Sequence, residues 1–191
     1  MFTGLVQNVA LVLRVFPQGK NLALTIKTPL GWVLKSGDSI ATDGVCLTVS
    51  SVSRASYTTI LMPQTQALTK FGKNTPEAVN LERPLTLKDY VGGHLVLGHI
   101  DCVGVVASAG IKNTNYFFTV RFPARFSRLV VPQGSIAFDG VSLTITSCAK
   151  NSATVSLIPH TIAHTTLVHK KINDKINIEF DIIGKYATRK N

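Results

Sequence analysis

The chain has 191 residues, 45% of them hydrophobic and 16% charged, a balance that fits folded globular domains and excludes a disordered chain. No apolar run approaches the roughly 18 residues of a membrane span, and no basic segment followed by an apolar one marks a secretory signal. The net charge of +10 is dispersed, clustering only at Lys170-Lys171 and in the tail Lys185, Arg189, Lys190, and aromatic residues do not alternate with it, so neither a nucleic-acid surface nor a membrane partner is expected.

Short, alternating, β-branched stretches dominate. In the first half they are Ala10–Leu13, Leu22–Ile26, Leu47–Ser50 and Tyr57–Ile60; in the second, Val103–Val106, Tyr116–Arg121, Leu143–Thr146 and Ala153–Leu157. Asp-Gly, Gln-Gly and Pro-containing breaks separate them. Many short strands with regular turns predict an all-β chain whose halves each close into a small antiparallel barrel. Phe122–Val130 has apolar residues at helical spacing and predicts a short helix, with Pro29–Leu34 as its first-half counterpart. Gln66–Phe71 and Ile162–Val168 predict further turns or one-turn helices.

The chain repeats itself. Ser39-Ile40-Ala41-Thr42-Asp43-Gly44-Val45-Cys46-Leu47-Thr48 returns 96 residues later as Ser135-Ile136-Ala137-Phe138-Asp139-Gly140-Val141-Ser142-Leu143-Thr144. Leu61–Thr65 returns as Leu157–Thr161, Val79–Glu82 as Ile176–Glu179, and Met1–Val6 as Leu95–Ile100. Two domains follow: a barrel over 1–86, a linker over 87–94 marked by Gly92-Gly93, a second barrel over 95–181, and a tail over 182–191 outside the repeat.

Matched polar positions in two domains predict two similar pockets, and the pairing of Cys46 with Ser142 makes them chemically unequal. Cys46 follows the Asp43-Gly44 turn, ahead of a strand, where its thiol could act as a nucleophile or simply pack as a buried residue. His94 and His99 could exchange protons near neutral pH. Together with Asp101 and Cys102 they fit no standard zinc spacing, so no metal is expected. Three cysteines (Cys46, Cys102, Cys148) without Cys-x-x-Cys spacing predict reduced thiols and a cytoplasmic location. Thr48, Thr144, Thr65, Thr161, Ser39 and Asp181 supply hydroxyls and a carboxylate that suit a polyol ligand.

Met1–Val6, Asp43–Thr48, Gly92-Gly93-His94 with Gly98-His99-Ile100, and Asp139–Thr144 together resemble the riboflavin synthase family, in order and over nearly the whole chain. The resemblance implies two six-stranded Greek-key β-barrels in tandem with short helices and a C-terminal helix. It implies a transferase that dismutates two 6,7-dimethyl-8-ribityllumazine molecules into riboflavin and 5-amino-6-(ribitylamino)uracil, without a cofactor. It also implies a homotrimer and admits association with lumazine synthase. A non-catalytic lumazine- or flavin-binding protein on the same scaffold is the alternative reading.

Carried over residue by residue, the resemblance makes Cys46, His99 and Ser142 candidates for nucleophile activation and proton transfer. Phe2 and His94 would complete the site near the first barrel. Gly4, Leu5, Val6, Leu47, Thr48 and the segment Ile60, Leu61, Met62, Pro63, Gln64, Thr65 would line the first pocket. Gly98, Ile100, Leu143, Thr144 and the segment Ile158, Pro159, His160, Thr161, Ile162, Ala163 would line the second. Ser39, Thr65, Thr161 and Asp181 would face the ribityl chain or the catalytic side. Three features depart from the family: Gln133 stands where lysine is common, Gln64 and His160 replace a glutamate, and the tail Ile182–Asn191 could form a helix only about 15 Å long.

Overall fold

The computed structural model describes residues 1–72 and 75–189. The first barrel is built from β1 (Asn8–Gln18), β2 (Asn21–Lys27), β3 (Ser39–Thr42), β4 (Val45–Val52), β5 (Ser56–Leu61) and β6 (Ala78–Glu82). The second is built from β7 (Cys102–Lys112), β8 (Asn115–Arg121), β9 (Ser135–Phe138), β10 (Val141–Ala149), β11 (Ser152–Leu157) and β12 (Lys175–Phe180). Around the first ring the order is β1-β2-β5-β4-β3-β6, and the second ring has the same order with each strand's counterpart. In both, three consecutive hairpin-linked strands are followed by one that returns beside the first of them, which is a Greek key. Closure leaves no strand edge open to another chain.

Alternation builds the cores. Along β5, Tyr57, Thr59 and Leu61 are buried while Ser56, Thr58 and Ile60 are half-exposed, and β11 repeats the pattern residue for residue. The duplication extends to irregularities. A bulge at Val12/Arg14 recurs at Val106/Ser108, and one at Val49/Ser51 recurs at Ile145/Ser147. The hydroxyl pair Thr25–Thr58, at 3.1 Å, recurs as Thr119–Thr154, at 2.9 Å.

Strands β3 and β4, like β9 and β10, are joined by Asp-Gly turns. Asp43 and Gly44 have φ of 44° and 78°, and Asp139 and Gly140 have 45° and 79°, the left-handed conformations a two-residue hairpin needs. Cys46 therefore lies inside β4 rather than ahead of a strand.

The helices differ in detail from expectation. α1 (Pro63–Leu68) and α2 (Pro159–His164) start earlier than the apolar spacing suggests, because proline is pre-set for the first helical turn. Single 3₁₀ turns follow at Lys70–Gly72 and Thr166–His169. Ala124–Leu129 forms the expected short helix, of 3₁₀ type, with Phe126 stacked on Phe180 at 5.0 Å. Its counterpart, Pro29–Leu34, forms only a turn, with Gly31 at φ 79°. The tail carries α3 (Ile182–Ala187), capped by the Asp181 carboxylate accepting from Ile183 N–H at 2.9 Å. The helix expected to run to Asn191 ends at Ala187, and residues 190–191 lie outside the described residues. No described helix is long and apolar enough to cross a membrane.

Candidate active site

The site begins with two straps that change sides. Segments 1–6 and 94–100 run antiparallel between the barrels, tied by Phe2 N–H to Val96 O (2.7 Å), Val96 N–H to Phe2 O (3.1 Å) and His94 N–H to Thr3 O (3.1 Å). Each strap then docks on the opposite barrel. Val6 packs against the second core and Ile100 against the first. The Gly4 carbonyl accepts from Ser142 N–H at 2.8 Å, and the Gly98 carbonyl accepts from Cys46 N–H at 2.9 Å. A β-carbon on Gly4 would lie 2.6 Å from the Ser142 Cβ, and one on Gly98 would lie 2.5 Å from the Cys46 Cβ. Both glycines also have φ near 80°, so nothing larger fits.

This exchange corrects the expected pocket assignments. Gly4 and Val6 belong with the second barrel, and Gly98 and Ile100 with the first. Proximity in sequence suggested the reverse, because nothing in a strand-like hexapeptide shows which barrel it will cross to.

The first half-site is a cleft of about 280 Å³ lined by Cys46, Gln64, Thr65, Gly98, His99 and Ile100, among others. Cys46 and Thr48 share the outer face of β4, while Leu47 between them points into the core at 4% exposure. Leu61 is likewise in the core, so Leu47 and Leu61 can meet a ligand only through their backbone. Ile60 is half-exposed; Met62 and Pro63 are exposed at the start of α1. Ser39 lies opposite Thr48 across the β3–β4 ladder but lines a separate cleft with Gln7, Arg83 and Asp89.

The second half-site centres on Ser142. Its hydroxyl is hydrogen-bonded to His94 Nδ1 at 2.7 Å, and His94 Nε2 is buried with no hydrogen-bond partner among the described residues. Burial holds the imidazole below its ordinary pKa, and the nearby Asp181 carboxylate partly opposes that shift. A histidine kept neutral beside a hydroxyl can exchange a proton with it. His94 thus serves the second barrel, not the first as expected, because its strap turns back over Thr3 toward Ser142. Phe2, expected at the first barrel, is fully buried between the two with Ala41, Val96, Ala137 and Cys46.

Thr144 faces outward on β10, and Leu143 points into the core. Around α2, Ile158, Pro159, His160 and Ala163 are exposed, Thr161 is half-buried, and Ile162 packs against the core. Gln133 is an exposed turn residue at φ 64°, where the first half has Gly37 at 94°. Leu5 is 49% exposed on its strap. The four residues weighed for a metal diverge: His94 meets Ser142, His99 lines the Cys46 cleft, Asp101 pairs with Lys185 at 2.6 Å, and Cys102 is buried with its thiol pushed up to about 12.

Sequence reasoning missed a buried polar seam beneath both half-sites. The Asp-Gly turns meet there, each glycine pressed on the other's backbone: a Gly44 Cβ would be 2.7 Å from Gly140 N, and a Gly140 Cβ 2.6 Å from Gly44 N. Asn80 Nδ2 donates to Asp139 O at 2.9 Å, and Asn177 Nδ2 to Asp43 O at 3.0 Å. Lys70 is bound by both Asp43, at 2.7 Å, and Asp139, and Lys170 reaches Asp139 at 3.0 Å. Desolvation pushes Asp43 up to about 6 despite the Lys70 charge. The two aspartates push the Lys70 ammonium upward, more than offsetting its burial. The repeated Asp-Gly and Asn-x-Glu motifs carried a signal for this seam. Lys70 did not, since its counterpart is Thr166.

Residues 3–84 and 97–181 match the lumazine binding domain family. Riboflavin synthase of Actinobacillus pleuropneumoniae is 38% identical over 97% of this chain and 87% of its own length. That of Bacillus subtilis is 37% identical over 99% and 89%, and that of Chlamydia pneumoniae 39% over 97% and 92%. The crystal structure of LumP complexed with riboflavin has the same fold, with a TM-score of 0.86 at 20% identity over 94% of this chain and 99% of that one. Two matches to the lumazine binding domain and 37–39% identity to these enzymes over nearly the whole chain place it in the riboflavin synthase family.

Proposed function

We propose that the chain dismutates two 6,7-dimethyl-8-ribityllumazine molecules, moving a four-carbon unit from one to the other to yield riboflavin and 5-amino-6-(ribitylamino)uracil. The observation that carries this reading is one binding scaffold present twice with unequal chemistry: Cys46 and His99 in one half-site, Ser142 and His94 in the other. Both substrates are the same molecule, so a duplicated pocket can hold both, but one must lose a proton from its 7-methyl group while the other accepts a nucleophile. Neutral His94 suits proton transfer at one, and the Cys46 thiol suits attack at the other. Holding the two rings against each other can supply roughly 7–11 kcal/mol of the barrier.

The Cys46 cleft contains neither Ser142 nor His94, and fully buried Phe2 and Val96 stand between the barrels. Stacking two bound substrates within one chain is therefore obstructed, which supports pairing of half-sites between copies, in a homotrimer. Exposed Ile183 and Tyr186 on α3 give such an assembly apolar surface.

The test is riboflavin fluorescence from purified chain and lumazine alone. Cys46→Ser, His99→Ala and Ser142→Ala should each slow turnover by about 100-fold. Three variants as fast as the parent would refute the site; binding without any turnover by the parent would favour the non-catalytic lumazine- or flavin-binding protein.

A further inference from the structure

The straps that complete the half-sites are held by two buried glutamates, and each glutamate belongs to the barrel opposite the half-site its strap completes. Glu82, at the end of β6 in the first barrel, accepts from Thr3 N–H (2.7 Å), Thr3 Oγ1–H (2.7 Å) and Gly4 N–H (2.9 Å). Gly4 then bonds Ser142 in the second barrel. Glu179, at the matching place in β12 of the second barrel, accepts from Leu97 N–H (2.7 Å), Gly98 N–H (2.9 Å) and His99 N–H (3.1 Å). Gly98 then bonds Cys46 in the first barrel, and His99 lines its cleft. The two residues are 5% and 2% exposed.

Glu179 does not line the Cys46 cleft, and among the described residues neither carboxylate forms an ion pair. Each has consecutive backbone N–H groups as its partners, an arrangement that fixes a strap's height and rotation over the facing strand. The two clamps are not identical. Glu179 takes the His99 N–H directly, whereas Leu5, the residue matching His99, donates at 3.1 Å to the Thr3 hydroxyl, which relays to Glu82.

We infer that Glu82 and Glu179 are positioning residues for the reaction, each acting across the barrel boundary: Glu179 sets Gly98 and His99 over Cys46, and Glu82 sets Gly4 over Ser142. The inference rests on the proposed reaction for its meaning in catalysis, but the crossed geometry is tested without turnover. The first reading is the rate at which iodoacetamide alkylates Cys46, with half-buried Cys148 as reference in the same sample.

Glu179→Gln keeps the shape but offers one acceptor oxygen where two served. It should speed Cys46 alkylation by about tenfold, as the loss of a charge-assisted hydrogen bond allows, and leave Cys148 unchanged. Glu82→Gln should leave Cys46 within about twofold of the parent, the size of effect expected at an uncoupled site. Both should lower kcat more than they raise KM. Equal acceleration of Cys46 by both variants, or by neither, overturns the crossed assignment.

If a glutamine variant fails to fold, Glu179→Asp and Thr3→Val serve instead. The first keeps the charge but shortens the reach, and should accelerate Cys46. The second removes the relay on the other strap, and should slow turnover with Cys46 alkylation at the parent rate; acceleration by Thr3→Val, or none by Glu179→Asp, would also overturn it. A parent that makes no riboflavin sinks the reaction and leaves the alkylation comparison standing.

Discussion

The two half-sites share a backbone and differ in what is attached to it. Around Cys46 stand His99 and the start of α1; around Ser142 stand His94, its Nε2 without a partner among the described residues, and Asp181. The hydrogen bonds that shape them repeat almost bond for bond: Gly98 to Cys46 and Gly4 to Ser142, Glu179 to its strap and Glu82 to its own. Duplication thus gives two matching frames, and a few differing side chains, Cys46 against Ser142 above all, make them chemically unequal.

The comparison is sharpest at the seam, where one lysine serves both halves. Lys70→Thr, which makes the first half like the second at that position, leaves Asp43 and Asp139 facing each other with, among the described residues, Lys170 as their remaining cation. It should cost about 3–5 kcal/mol in urea unfolding. Thr166→Val, in the matching slot, should cost far less; similar losses would show that Lys70 has no special place. Gly44→Ala and Gly140→Ala come next. Each forces a β-carbon onto the other turn at positive φ, for about 2–3 kcal/mol. The two should be equal within error, and a marked inequality would break the symmetry claimed for the seam.

A smaller effect separates the halves by pH. Asp43 is raised to about 6, so its proton is held more tightly folded than unfolded. Its contribution is therefore fully present below the unfolded value near 4 and is lost as pH rises through 6. His94 is lowered, so its contribution is present above the unfolded value near 6.5 and declines as pH falls toward the folded value. Melting of the parent against Asp43→Asn should show the parent gaining relative to the variant from pH 7 to 5. The parent against His94→Gln should show the opposite slope. The smallest effect is a control: Thr58→Val and Thr154→Val, at matched cross-strand hydroxyl pairs, should each cost under about 1 kcal/mol and by the same amount.

Much of this was legible in the chain. Alternation within Tyr57–Ile60 and Ala153–Leu157 marked strands, because a half-buried ladder needs a two-residue period. The Asp-Gly turns were legible because few residues accept their backbone. Pro29–Leu34 misled because its apolar spacing matches that of Phe122–Val130, yet only the latter has an aromatic stack, Phe126 on Phe180, to hold a helical turn. Leu47, Leu61 and Leu143 were expected to line the pockets; strand alternation turns their side chains into the cores and leaves their backbone as what a ligand could meet.

The sequence by itself determined that there are two barrels, where their strands and turns lie, and that Cys46 and Ser142 occupy equal places. Those follow from local periodicity and from repetition, which any copy of the chain displays. Only the tertiary structure decided which strap completes which half-site, that His94 faces Ser142, and that Glu82, Glu179 and Lys70 hold the arrangement. These depend on how two barrels dock, and docking is set by contacts between residues some 70 to 130 positions apart, such as Lys70 with Asp139 and Asn177 with Asp43, that leave no periodic trace in either half.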